Sequence, residues 1–260
     1  MSNDVPTAAA APQTPSRAVP EPPALEDTGG LTTRRLVWDL PLRLFHWLFA
    51  TGIVASYITA KVGFDWMQVH FYLGYFMIGL LVFRVIWGFI GPRHARFSSF
   101  LEKPAVVWAY AQRLFDANSH PSVGHNPVGA LMVILMLVLV AAQVTTGLFA
   151  TDAVIWTGPY YPAVKSSTAS LLSTVHSVNV NIILGAVVLH IAAIIFYRVH
   201  KKQGLAAAMF TGYKPAALVP PQHAITSSQL LKALIVSALA AGFVYWLIAI
   251  NAPPPADNVY

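Results

Sequence analysis

Between Thr174 and Arg198 the sequence runs almost without a polar break, yet it carries two histidines, His176 and His190, fourteen residues apart. In a helix, fourteen steps of 100° fall about 40° short of four full turns, so both imidazoles leave the same face. Their separation along the axis is roughly 21 Å. One shared metal ion would need its ligands within about 2 Å of a single centre, so the spacing excludes that arrangement. It suits one cofactor in each leaflet of a bilayer, and the rest of the chain can be read as supplying the opposite ligands.

The 260 residues are 56% hydrophobic and only 10% charged, whereas about a quarter of a soluble domain is charged. This is the composition of a membrane protein. The net charge of +6 does not make a nucleic-acid partner, because the basic residues lie between apolar segments rather than on one soluble face. With no cysteine in the chain, disulfides, iron–sulfur clusters, thiolate zinc sites and covalently attached c-type haem are all excluded. Any haem is therefore held without covalent bonds.

Residues 1–30, rich in Ala and Pro and lacking a signal-peptide core, are expected to form a disordered tail. A domain over 31–215 follows. Asp39 and Pro41 open a first membrane helix, about 40–60, which carries Arg43 and His46. A hinge over 61–65 leads to a second helix, about 66–90, with His70 near its start, and Gly91-Pro92 ends it. The run 104–115 is amphipathic and is expected along the membrane surface. Asn126-Pro127 starts a third helix, about 127–149, that has no histidine. After a loop holding Trp156, Tyr160 and Tyr161, a fourth helix runs over about 173–198. A polar linker begins the last segment, 216–260, and a fifth apolar stretch, about 230–250, is long enough to span. The fold class is thus all-α: a polytopic four-helix bundle with an added C-terminal membrane helix.

Fourteen of the sixteen Lys and Arg fall on one side of this arrangement, and only Lys61 and Lys165 face the other. The positive-inside rule places the N-terminus in the cytoplasm and, after five crossings, the C-terminus outside. Depth can then be assigned to each histidine. His46 and His190 belong to the inner half, and His70 and His176 to the outer half, so they form two matched pairs on facing helices. Two imidazoles on one haem iron leave it no open coordination position, which favours one-electron transfer. For any single intramembrane histidine the competing role is an interhelical hydrogen bond; four at matched depths point to ligation of two b-type haems.

Arg43 neighbours His46 and is a candidate for holding an inner haem propionate, with a lipid-phosphate anchor as its alternative. Arg84, two turns from Pro92, is expected to snorkel or to bind the same propionates. Gly74, Gly79 and Gly185 would let a flat macrocycle approach, or would serve close helix packing. The other histidines, His94, His120, His125, His200 and His223, lie in polar segments and are expected to be solvated.

The run from Val37 to Trp47, VWDLPLRLFHW, together with WGFIGPRHARF from Trp87 to Phe97 and the His176 to His190 spacing, resembles the bacterial cytochrome b561 group, which includes b-type subunits of nickel–iron hydrogenases and formate dehydrogenases. The resemblance covers about 35–212. It implies a four-helix core in the bacterial inner membrane with two b haems, ligated as paired above, and a third helix without a ligand. It also implies an electron-transfer subunit, without catalytic residues of its own, linking a periplasmic c-type cytochrome or dehydrogenase to membrane quinone; a homodimer is compatible with it. A stand-alone superoxide:ubiquinone oxidoreductase is the alternative within the group, and a non-redox membrane anchor the alternative outside it.

Overall fold

The computed structural model describes residues 33–116 and 122–254, and the expected N-terminal tail and His120 lie outside them. The longest elements are five helices: α1 (Leu40–Val62), α2 (Met67–Ile90), α4 (Pro127–Gly147), α5 (Ser166–Val199) and α7 (Leu230–Tyr245). Two short helices, α3 (Pro104–Gln112) and α6 (Leu205–Thr211), sit between them. By length and apolarity α2, α4, α5 and the Leu230–Ile250 segment can cross a membrane. At 23 residues, or about 34 Å, α1 is also long enough, although Arg43 and His46 make it the least apolar. The protein is an all-α multi-pass membrane protein.

Local chemistry explains the helix ends. Asp39 caps α1, its Oδ1 accepting from Leu42 N–H at 2.9 Å, and Pro41 needs no intrahelical donor there. The same Oδ1 accepts from Trp87 Nε1 on α2 at 3.0 Å. Both residues are fully buried, so this bond fixes the register of α1 against antiparallel α2. Gly63, with φ at 102°, turns the chain between them. Asn126 caps α4 through Gly129 N–H at 2.7 Å. Helix α5 starts earlier than its apolar stretch. It is 34 residues long because nothing in 166–173 breaks a helix, and Ser173 and Thr174 satisfy their hydroxyls on carbonyls one turn back.

Helix α2 packs on α1, α4 and α7, and α4 packs on α5. The core between them holds Phe45, Phe49, Met77, Phe83 and Trp87, and Gly52 leaves room for the Met77 sulfur. Most other apolar side chains on the spans are exposed, such as Leu189 and Leu231, as expected for surfaces whose solvent is lipid. A Cβ at Gly79 would lie 3.6 Å from Val244 of α7, so its role is helix packing. Gly74 and Gly185 face open space. Beyond α7 the helix widens into a π turn, Trp246–Ile250. Leu247 O accepts there from Tyr160 OH at 2.8 Å, tying α7 to the loop before α5.

A two-stranded strap closes the basic end: β1 (Arg34–Leu36) pairs antiparallel with β2 (Tyr213–Pro215). Gly212, with φ at 87°, ends α6, and its carbonyl accepts from Val37 and Trp38 N–H. A Cβ at Gly212 would lie 2.8 Å from Trp38 O. Lys214 on β2 is buried and donates from Nζ to Ser122 O at 3.0 Å. Burial pushes its pKa down to about 8 from 10.5. Across that window the unfolded chain binds a proton that the folded chain releases, so stability rises from about pH 8 to 10.5 and the gain is lost as pH falls through about 8. The melting temperature of the detergent-solubilised protein is expected to climb across this window relative to Lys214→Met. Parallel pH profiles would contradict it.

Candidate functional site

Each of the four histidines expected to act together is placed by a different local argument. His46 lies two turns into α1 and His70 one turn into α2, while α5 carries both His176 and His190 on one face. Asp39 and Trp87 set α1 against α2, and His46 on α1 comes level with His190 on α5, with ring centroids 6.3 Å apart and planes at 58°. At the other end His70 and His176 have centroids 6.3 Å apart and planes at 84°. Two imidazoles facing each other across one ion, each nitrogen about 2 Å from it, put their centroids about 6 Å apart.

The pair at the Lys61 end is braced from behind. His70 Nδ1 lies 2.9 Å from Ser56 O and His176 Nδ1 lies 2.9 Å from Gln143 O. A carbonyl only accepts, so each Nδ1 carries the hydrogen, leaving each Nε2 with a free lone pair. Histidines that bind metal are held in this way, with the second N–H given to a carbonyl. Gln143 Nε2 also donates to His176 O at 3.1 Å, and Asn179 Nδ2 donates to Gln143 Oε1 at 2.8 Å. Gln143 and Asn179 escape a search for ligands. Their signal was an amide in an otherwise apolar membrane helix, Asn179 lying three residues beyond His176.

Around this pair lies a cavity of about 450 Å³ lined by Ser56, His70, Gly74, Gln143, Trp156 and His176, within the size range of cofactor clefts. The loop 150–165 roofs it. Asp152 Oδ1 accepts from the N–H groups of Val154, Ile155 and Trp156, each at 2.9 Å, and Trp156 meets Phe71 edge-on at 5.8 Å.

At the basic end, Trp47 stands edge-on to His46 at 5.0 Å. Arg43 donates from Nε to Met209 O at 3.2 Å and from Nη2 to Phe210 O, so it ties α1 to the carbonyl end of α6. Arg84 is 1% exposed. It does not snorkel: its guanidinium lies over the Phe97 ring, 4.7 Å from the centroid. The expectation that the remaining histidines are solvated fails for two of them. His94 is buried, its Nε2 donating to His223 O at 2.8 Å. His125 packs edge-on against Trp38 at 4.7 Å and beside Phe100 at 4.6 Å. The segment between α2 and α4 folds back under the bundle on aromatic contacts that polar composition hides. Burial lowers the pKa of both, and takes His125 to about 3 with help from the charges of Arg84, His94, Lys214 and His46. His200 stays exposed, stacked on Phe196.

Among the described residues no three His, Cys, Asp or Glu gather into a site for a metal ion. Each histidine pair brings two imidazoles together, with ring centroids 6.3 Å apart, a donor set that suits the iron of a planar macrocycle rather than a bare ion. Buried polar atoms without a hydrogen-bond partner also collect near the pairs: Ser56 Oγ, Trp47 Nε1, Arg84 Nη1 and Nη2, and His125 Nδ1. These residues fit a haem at each pair. A family model described as prokaryotic cytochrome b561 matches residues 37–212. No curated protein and no solved structure matches the chain.

The loop over the cavity depends on one glycine. A Cβ at Gly158 would fall 2.4 Å from Leu148 O and 2.5 Å from Gly147 O, backbone atoms that do not give way. Gly158→Ala is therefore expected to cost about 1–3 kcal/mol, read as a lower melting temperature and faster proteolysis within 150–165. Wild-type behaviour in both would contradict that placement.

Proposed function

The chain belongs to the prokaryotic cytochrome b561 family, and from that premise we propose a di-haem relay that passes electrons across the bilayer. Membership makes the protein a membrane b-type cytochrome working in electron transfer. In the relay, His46 and His190 hold one haem and His70 and His176 hold the other. The observation that carries this reading is the shared 6.3 Å centroid spacing of the two imidazole pairs, set some 21 Å apart along α5.

Haem supplies the one-electron chemistry, and the chain supplies its setting. A haem held by two imidazoles, His46 with His190 or His70 with His176, would supply one-electron transfer rather than oxygen chemistry. Ser56 O and Gln143 O orient the far-end rings and make their free nitrogens stronger donors. Arg84, buried with an unpaired guanidinium, suits a propionate of the basic-end haem. Arg43, although engaged with α6, stays a candidate for the same group. The loop 150–165 would cover part of the far-end cofactor.

The positive-inside rule supports the basic end, with Arg93, Arg96, Arg198 and Lys201, in the cytoplasm and the N-terminus on that side. Five crossings then put the C-terminus in the periplasm. The far-end haem lies near the periplasmic face, where it would meet a c-type cytochrome or a dehydrogenase subunit, and membrane quinone is the other terminus of the relay.

Purified protein is expected to bind two b haems per chain, seen in the reduced-minus-oxidised spectrum and in the haem to protein ratio. His190→Ala is expected to lose about half of that absorbance and His176→Ala the other half. Equal loss of both haems from a variant that stays monodisperse, or the absence of a b-type band from the wild type, would overturn the proposal.

A further inference from the structure

Two buried donors at the basic end have no visible reason to be where they are. Arg84 is almost wholly enclosed, yet neither Nη1 nor Nη2 has a hydrogen-bond partner. His125 Nδ1 is shielded from solvent and equally unpartnered. The acid nearest in charge to Arg84 is Asp39. Its Oδ1 already serves Leu42 and Trp87, and its Oδ2 stands unpaired rather than joined to the guanidinium. Trp87 and Phe97 explain the gap. The indole holds Asp39 at the level of the last turn of α2, while the Phe97 ring, packed where Gly88 leaves room, holds the guanidinium one turn deeper.

Height along the bundle says what belongs in that gap. His46 is seven residues past Asp39, about 10.5 Å along α1, and Arg84 is three residues before Trp87, about 4.5 Å along α2. Arg84 therefore lies roughly 6 Å toward the basic end from the His46 and His190 pair. His125 approaches from the loop before α4, beside Trp38 and Phe100, and Phe100 touches Phe97 in turn. A desolvated guanidinium without an acceptor is costly, and its fork matches the two oxygens of a carboxylate.

The geometry points to a two-sided carboxylate cradle in which Arg84 and His125 together hold a propionate of the haem between His46 and His190. This rests on the di-haem reading above and adds His125, a residue outside the ligand set, as a positioning residue. Burial and the neighbouring Arg84, His94, Lys214 and His46 disfavour its charge, and a carboxylate facing the unpartnered Nδ1 selects the neutral tautomer with the hydrogen there, an N–H donor. His125 also lines a cavity of about 180 Å³ with Arg93, His94, Ser99 and His223. A carboxylate stripped of a donor leaves more negative charge near the iron and lowers its reduction potential.

The test is a spectroelectrochemical titration of the purified full chain. At the potential where the wild-type basic-end haem is half reduced, His125→Leu is expected to lower its reduced to oxidised ratio about fivefold, the effect of one hydrogen bond. The far-end haem should be unchanged, and His125→Gln, which keeps an N–H donor, should restore the ratio. Leu fills the space against Trp38 and Phe100, so a packing role alone would leave the ratio where it was. Arg84→Lys, which keeps the charge and loses the fork, should shift the same haem in the same direction. An unmoved ratio in His125→Leu, an equal shift of both haems, or a failure of His125→Gln to restore the ratio would overturn the cradle. Failure of the underlying reading shows separately, as a wild-type protein with no haem at the His46 and His190 pair.

Discussion

Everything at the two histidine pairs depends on register between antiparallel helices. A slip of one residue along α1 would move His46 by about 1.5 Å and turn it by about 100°, away from His190 on α5. The Asp39 carboxylate prevents that slip by capping α1 and accepting from the Trp87 indole with the same oxygen. Both side chains are excluded from solvent, so the bond cannot be traded for water without exposing the core. Arg43 adds a second tie, from α1 to the end of α6. The strap of β1 and β2 closes the same end.

The two ends are built differently. At the Lys61 end the rings are oriented by backbone carbonyls of α1 and α4 and roofed by a loop whose turn is made by Asp152. At the basic end the surroundings are charged and aromatic, with Arg84, His94 and Lys214 buried and His94 and His125 packed against Trp38. In the proposed relay such differences would set how easily each site takes an electron.

Much of this was legible in the sequence because membrane helices obey simple rules. Apolar length gave the spans, Asp39-Pro41 and Asn126-Pro127 gave two helix starts, and 3.6-residue periodicity put His176 and His190 on one face. The pairing of His46 with His190, and of His70 with His176, followed from depth alone. Residues whose placement depends on tertiary packing were not legible. The start of α5 was hidden because the Ser- and Thr-rich run 166–173 reads as loop although it carries no breaker. The strap was hidden because strands of three residues leave no alternation to detect. The burial of His94 and His125 was hidden because polar neighbours in the chain say nothing of Trp38 and Phe100 in space. The solvent-like reading of Arg84 failed for the same reason: snorkelling needs a free path, and Phe97 blocks it.

In the proposed relay each pair of imidazoles would hold one haem iron from both sides. Electron paramagnetic resonance of the fully oxidised, purified chain reads this directly, because axial ligation sets the spin state. Two distinct low-spin ferric signals of equal intensity are expected, distinct because the ring planes cross at 58° in one pair and 84° in the other. A high-spin signal of comparable intensity, or one low-spin signal accounting for all the iron, would contradict the account.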